Sequence, residues 1–150
     1  MSLMGGCFPL KLRAIMSEHD EQVALFDWVK LYAREEPRLR TMFAIPNQGG
    51  QGKGAIIRGK KMVREGLRKG VPDIFLPVVT DEFGGLFIEM KSEKGRPSDE
   101  QVDFLNMLSE AGYLCGICHS FEQARSLIMD YLNSELDLSN PEDVRFNYFS

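Results

Sequence analysis

The chain has 150 residues, of which 43% are hydrophobic and 27% charged, and its formal net charge is −4 at pH 7. This length and composition are ordinary for one globular domain, so we expect a single soluble domain. Because no run of about 18 apolar residues occurs and the start lacks the features of a signal peptide, the sequence predicts no membrane span and a cytoplasmic protein.

The first predicted helix begins at Ser17, after residues 1–16, which we interpret as an N-terminal extension that can include an expression scar. Ser17 is a suitable N-cap, and Asp20 stands at the third helical position, where it completes a cap. Acidic residues also suit the positive end of the helix dipole. Capping alone therefore explains the acidic first turn, including Glu18 and Glu21.

A short strand is predicted at residues 42–45, where Pro46 ends it, and a glycine-rich loop follows at residues 47–54. The loop lacks the Lys-Ser/Thr ending of a phosphate-binding P-loop. The sequence therefore does not predict a nucleotide-binding loop.

Residues 53–69 predict a basic helix, because they contain seven basic residues and one glutamate, a net charge of +6. Since the whole chain is −4, the remaining residues sum to −10. A solvated helix face is the simpler account, but this excess favours a surface that follows DNA phosphates. No aromatic residue interleaves the basic ones, so base stacking by this helix is not expected. The candidate DNA contacts here are Lys53, Arg58, Lys60, Lys61 and Arg64.

Two apolar runs at residues 74–79 and 86–90, separated by turn-prone residues, predict a β-hairpin. Asp73 begins the first strand, and Glu89 lies within the second. Because alternate residues of a strand share a face, Glu89 and Lys91 project on the same side, beside a carboxylate from the neighbouring strand. Paired carboxylates form a hard oxygen site that suits Mg²⁺ or Mn²⁺. The simpler alternative is an ion pair at the sheet edge.

The residues after the hairpin predict a charged loop followed by a capped helix. Lys94 and Arg96 in the loop are further candidate DNA contacts, and Ser98 with Gln101 forms a Ser-x-x-Gln capping box. Capping explains Gln101 without catalysis. A strand at residues 113–118 follows, and because a helix precedes it, we expect it to pair in parallel with the Glu89 strand.

Cys115 and Cys118 match a C-x-x-C redox motif, and with His119 they match a haem-attachment motif. The surrounding residues are typical of a buried strand, in which cysteine is a common small core residue. His19 and His119 do not have the spacing of zinc ligands. We therefore expect neither redox, haem nor zinc chemistry from these residues. A last helix is predicted at residues 121–133.

Taken in order, the motifs resemble the VRR-NUC family, the virus-type replication-repair nucleases of the PD-(D/E)XK superfamily. They are SEHDEQ at 17–22, AIPN at 44–47, GVPDIFL at 70–76, GLFIEMK at 85–91 and PSDEQ at 97–101. The resemblance covers residues 17–133 and leaves residues 134–150 as a C-terminal tail. It implies an α/β restriction-endonuclease-like core, in which helices flank a central mixed sheet whose hairpin carries the site.

The resemblance also implies a metal-dependent, structure-selective DNA endonuclease of phage replication or repair. A stand-alone member would act as a homodimer on branched DNA such as four-way (Holliday) junctions, in the cytoplasm of a bacterial or phage-infected cell. The implied catalytic residues are Glu18, Asp73, Glu89, Lys91 and Gln101. Asp73, Glu89 and the main-chain carbonyl of Met90 would hold Mg²⁺ or Mn²⁺.

The resemblance favours Glu18 over Glu21, because the family places a glutamate four residues before a glutamine, here Gln22. Two other functions remain open. One is a junction-binding module that has lost its nuclease activity, and the other is a thiol redox protein that uses Cys115 and Cys118.

Overall fold

The computed structural model describes residues 16–46, 53–137 and 139. The predicted N-terminal extension up to residue 15, most of the glycine-rich loop and most of the C-terminal tail lie outside these residues. The described chain forms a mixed α/β fold in which helices flank a four-stranded sheet, as predicted. None of the described helices is long and apolar enough to cross a membrane.

Four α-helices, one 3₁₀ helix and four strands make up the described part of the fold. In chain order they are α1 (Glu18–Tyr32), the 3₁₀ helix (Pro37–Thr41), β1 (Phe43–Ala44), α2 (Lys53–Arg64), β2 (Ile74–Leu76), β3 (Leu86–Met90), α3 (Asp99–Glu110), β4 (Leu114–Cys118) and α4 (Phe121–Asn133). The sheet order is β1-β2-β3-β4. Its first two pairings are antiparallel, and β3 pairs with β4 in parallel, as predicted from the intervening helix.

Several predicted boundaries were too long. The first hairpin strand ends at Leu76 rather than at residue 79, because Pro77 has no N–H to donate to a strand partner. The strand β1 has two residues rather than four, and β4 begins one residue later than predicted. The helix α2 ends at Arg64, and Gly66 follows with a φ of 107°, a left-handed conformation that a helix cannot continue.

One face of the sheet packs into the main core. The side chains on this face include Ile74, Leu76, Leu86, Ile88 and Met90, all fully buried. They pack in one cluster with residues of α1 and α4. Burying a side chain of this size typically contributes about 1.5–3 kcal/mol, so this face anchors the hairpin firmly.

The opposite face of the sheet is covered in part. The helix α3 packs over β4 on this side, where Leu105 and Leu108 join Cys115 and Ile117. Because strand side chains alternate between faces, Glu89 projects on this side, away from the main core. The partly covered face of the hairpin is therefore where a site can form.

Candidate active site

The hairpin places Asp73 and Glu89 next to each other. The register pairs Ile74 with Ile88, so the preceding residue, Asp73, stands opposite Glu89 on the neighbouring strand. The N–H of Met90 donates a hydrogen bond to Asp73 Oδ2 over 2.8 Å, which ties the Asp73 carboxylate to the backbone beside Glu89. The two carboxylates thus share one environment.

All five candidate catalytic residues line one cavity of about 440 Å³. They are Glu18, Asp73, Glu89, Lys91 and Gln101. Glu18 comes from the start of α1, Asp73 precedes β2, Glu89 lies in β3, Lys91 follows it, and Gln101 lies in the first turn of α3. Residues that are up to 83 positions apart in the chain therefore meet at one point.

Glu89 is the most buried of these groups, with 1% of its surface exposed. Its Oε1 lies 2.7 Å from Lys91 Nζ and accepts a hydrogen bond from Gln101 Nε2 over 2.5 Å. Its Oε2 is buried and has no hydrogen-bond partner among the described residues. Burial raises the pKa of Glu89 to about 7; the Asp73 and Glu18 carboxylates act in the same direction, and Lys91 opposes them.

Gln101 has two roles in this geometry. Its side-chain Oε1 accepts a hydrogen bond from the N–H of Ser98 over 2.9 Å, which completes the predicted capping box of α3. Its Nε2 donates to Glu89. Capping and contact with the site are therefore not alternatives for this residue. The cap fixes the orientation of the amide that holds Glu89.

The structure separates the two candidate acids of α1. Glu21 has only 7% of its surface exposed, and its carboxylate accepts a hydrogen bond from the N–H of Phe121 over 2.6 Å, which joins α1 to the start of α4. Glu18 instead lines the cavity, and its negative charge acts on Glu89. Asp20 completes the cap with Ser17, as predicted. The geometry thus gives Glu21 a structural contact and leaves Glu18 in the cavity.

The donor set fits a hard divalent ion. Among residues 16–46, 53–137 and 139, no group of three His, Cys, Asp or Glu side chains clusters as a metal site. Mg²⁺ and Mn²⁺ do not need such a group, because one or two carboxylates, water and a substrate phosphate suffice. Within the part of the chain that the structure describes, the buried Oε2 of Glu89 has no hydrogen-bond partner, and Asp73 stands opposite Glu89 on the neighbouring strand. The side chain of Met90 is buried in the core, so only its main-chain carbonyl is available to this site.

The predicted DNA contacts lie on two exposed segments near the cavity. Those of the basic helix, Lys53, Arg58, Lys60, Lys61 and Arg64, are all exposed on α2. Lys94 and Arg96 are exposed in the loop before α3 and line a separate groove with His119. Arg68 and Lys69 line the cavity itself, although they were not among the candidates. Their position just before Asp73 in the sequence was the signal that could have found them.

The two cysteines of the C-x-x-C motif lie on opposite faces of β4. Cys115 packs with Leu105 and Ile117 under α3, whereas Cys118 belongs to the main core. Burial raises the pKa of the Cys115 thiol to about 11. This placement is that of small core residues, as the sequence predicted, and it does not suit a reactive thiol pair.

Comparisons with known proteins agree with the geometry. The family model of the VRR-NUC domain matches residues 13–122. The chain belongs to the VRR-NUC family. This is a family of nucleases, so its members have DNA as their substrate. A solved chain described as a VRR_NUC domain protein has the same fold, with a TM-score of 0.65 and 20% identity over 79% of this chain and 89% of that chain. No curated protein matches the sequence.

Proposed function

We propose that this VRR-NUC chain is a metal-dependent, structure-selective endonuclease that hydrolyses phosphodiester bonds in branched DNA, including four-way junctions, during phage replication or repair. We place it in the cytoplasm of a bacterial or phage-infected cell and assign the activity to residues 17–133. One observation carries the proposal. Glu89 is buried with one oxygen held by Lys91 and Gln101 and the other without a partner among the described residues, directly across the hairpin from Asp73.

Asp73, Glu89 and the main-chain carbonyl of Met90 would hold Mg²⁺ or Mn²⁺. Such an ion, when bound, lowers the pKa of water and offsets charge on the phosphate. A buried carboxylate without a full set of hydrogen-bond partners is costly, which favours an occupant beside Glu89 Oε2. Glu18 adds a third carboxylate to the cavity, where it would bind a second ion or an ordered water.

Lys91 and Gln101 act on the groups around the phosphate. The Lys91 ammonium lies 2.7 Å from Glu89 and lines the cavity, so it can position the attacking water and offset developing negative charge on the phosphate. In the reaction, the water oxygen forms a bond to phosphorus and loses a proton to solvent, while the bond to one ester oxygen breaks and that oxygen leaves with the electron pair and takes a proton from solvent. Gln101 is a positioning residue, because it holds Glu89 Oε1 and leaves Oε2 for the metal.

The charge of the surface supports DNA as the substrate. Five of the twelve residues of α2 are basic and none is acidic, although the whole chain is negatively charged. Such a segment attracts the phosphate backbone, while the acidic remainder limits adsorption elsewhere. Lys94 and Arg96, which line a separate groove, would add basic contacts in the loop before α3.

We also propose that the chain acts as a homodimer, and the exposed surface of helix α2 supports this. None of its residues is buried, and its apolar side chains Ile56 and Val63 are 60% and 54% exposed. Exposed apolar side chains on one helix can form a contact between two copies, and a two-fold dimer would match the symmetry of a four-way junction. We expect Ile56→Glu to shift the sedimentation of the chain toward the monomer. Leu31→Glu, at a 70% exposed position on α1, is the matched control.

Cleavage of a four-way junction, a flap and a linear duplex in Mg²⁺ or Mn²⁺ tests the function. We expect the junction to be cut fastest, and chelation of the metal to stop cutting. Asp73→Asn should reduce the rate by at least about 100-fold and leave DNA binding in Ca²⁺ intact, because it removes a metal ligand and no basic residue. Asp81→Asn, in an exposed loop, controls for the loss of one carboxylate.

A junction-binding module without nuclease activity is the other candidate. It would bind the same DNA but cut none of the substrates in either metal. The meeting of Glu18, Asp73, Glu89 and Lys91 in one cavity favours the active enzyme, since phosphate binding alone does not require a cluster of carboxylates. If Asp73→Asn and Lys91→Ala cut as fast as the wild type, the proposed site is wrong.

A further inference from the structure

Four aromatic side chains form a continuous row beside the carboxylates. The register aligns Phe43 of β1 with Phe75 of β2, and Phe75 with Phe87 of β3. The rings of Phe75 and Phe87 are stacked, with centroids 4.2 Å apart, and Phe43 meets Phe75 edge-on at 5.8 Å. Tyr113 contacts both Phe75 and Phe87 edge-on, at 6.0 and 5.3 Å. We call these four residues the aromatic row.

The aromatic row lies on the same sheet face as the candidate active site. Phe75 comes two residues after Asp73, and Phe87 comes two residues before Glu89. Because residues two apart on a strand project on the same side, the row runs parallel to the carboxylate pair and about 6.6 Å from it. Two residues along each strand, the surface therefore changes from charged groups to aromatic rings.

Three rings of the aromatic row pack against neighbouring residues, and the fourth, at one end of the row, is exposed. A Cβ atom on Gly85 would lie 2.7 Å from the Phe75 ring, so this ring rests directly on the glycine backbone. Phe87 packs against the cluster under α3, and Tyr113 is half-buried. Phe43, on the edge strand, is 49% exposed. A single exposed apolar side chain is ordinary, but this one continues a packed aromatic layer beside a catalytic cavity.

We propose that the aromatic row receives the base of an unpaired nucleotide next to the scissile phosphate, with Phe43 as the ring on which the base stacks. This inference rests on the proposed function and specifies that, at the branch point, the nucleotide beside the cut is unpaired or leaves its base pair when the DNA binds. The surface has the composition that a nucleotide requires. Arg68, Lys69 and Lys91 in the cavity suit the phosphate, and the adjacent aromatic rings suit the base.

Stacking at this position accounts for structure selectivity in physical terms. A base inside a continuous duplex is already stacked and paired, and unstacking it costs a few kcal/mol. At a branch point or a flap, that cost is smaller, so the stacking energy is available for binding. A base stacked on an aromatic side chain contributes about 1–3 kcal/mol, which corresponds to about 5- to 150-fold in efficiency.

Matched branched substrates test this directly. One substrate is intact, and the others carry a single abasic nucleotide on either side of the cut. We expect the wild type to cut one abasic substrate about 5- to 150-fold less efficiently than the intact one. Phe43→Ala should cut the intact substrate with a similar loss and should not distinguish it from the abasic one. Phe43→Trp should keep the preference, and Met107→Ala, at an exposed position on α3, is the control.

A binding measurement separates this inference from the nuclease activity. A branched DNA with 2-aminopurine beside the cut should lose fluorescence on binding the wild type in Ca²⁺, and Phe43→Ala should abolish that change without abolishing binding. If the wild type cuts intact and abasic DNA equally and the fluorescence does not change, the inference is wrong while the proposed nuclease stands. If Phe43→Ala instead dissociates a dimer and keeps the abasic preference, a second copy of the chain covers the row.

Discussion

Burial of the Glu89 carboxylate should make the free energy of unfolding of the chain depend on pH. Burial raises the pKa of Glu89 from 4.5 to about 7. With metal removed by a chelator, Glu89 of the folded chain therefore keeps its proton at pH values between these two, where the unfolded chain has released it. A group with a raised pKa in the folded state lowers the free energy of unfolding as the pH increases between these two values. Each pH unit corresponds to about 1.4 kcal/mol, so the contribution is at most about 3 kcal/mol between pH 4.5 and pH 8.

Glu89→Gln removes this dependence, because glutamine has nearly the same shape and no charge. In urea unfolding, the free energy of unfolding should fall between pH 5 and pH 8 by more in the wild type than in Glu89→Gln. The difference between the two changes should be up to about 3 kcal/mol. The variant should also lose DNA cleavage. Lys91 loses its 2.7 Å partner in this variant, so the difference between the two pH values is the informative quantity rather than the stability at one pH.

Glu82→Gln, at an exposed loop position, controls for the loss of one carboxylate. The reasoning would be refuted if wild type and Glu89→Gln had the same change in unfolding free energy between pH 5 and pH 8.

Three further predictions follow from particular contacts. Gly70→Ala should destabilise the chain by about 1–3 kcal/mol more than Gly66→Ala in urea unfolding. A Cβ at Gly70 would overlap the Glu100 carbonyl, whereas one at Gly66 would meet no atom of the described residues within 4 Å, so equal effects would contradict this. Gln101→Ala should lower stability by about 1–2 kcal/mol and slow cleavage by about 10- to 100-fold, because it removes a cap and a partner of the buried carboxylate. Cys115 should resist iodoacetamide at pH 8 until urea unfolds the chain, as mass spectrometry of the modified peptides would reveal; rapid reaction of the folded chain would favour a redox role.

Local patterns were enough to predict most of the fold. The caps at Ser17 and Ser98 and the whole of the last helix, Phe121–Asn133, could be read from residues within one or two turns. The parallel pairing of β3 and β4 followed from the helix between them. The first hairpin strand was predicted too long, because an apolar run does not reveal where the hydrogen bonding stops; Pro77 decides that.

The sequence named five residues that line one cavity, but it did not predict the contacts between them. The choice between Glu18 and Glu21 depended on a hydrogen bond to Phe121, which is 100 residues away in the chain and has no local signal. The cap bond of Gln101 was predicted from the local sequence, but its hydrogen bond to Glu89 depended on how α3 meets β3. Such contacts arise from the register of distant strands and the placement of helices, which spacing in the sequence does not encode.

The aromatic row likewise could not be predicted from local sequence patterns. Phe43, Phe75 and Phe87 come from three separate segments, and only the strand register places them side by side and next to the carboxylates. Arg68 and Lys69 were visible in the sequence as part of a basic run, but their position in the cavity depends on the turn at Gly70, whose φ is 85°.

Anomalous diffraction from crystals soaked in Mn²⁺ tests most directly the claim that Asp73 and Glu89 hold a divalent ion together. We predict an anomalous peak about 2.1 Å from Glu89 Oε2, an Asp73 oxygen and the main-chain carbonyl of Met90, and its loss in Asp73→Asn. No peak in this cavity at saturating Mn²⁺, or a peak held only by other residues, would contradict the claim.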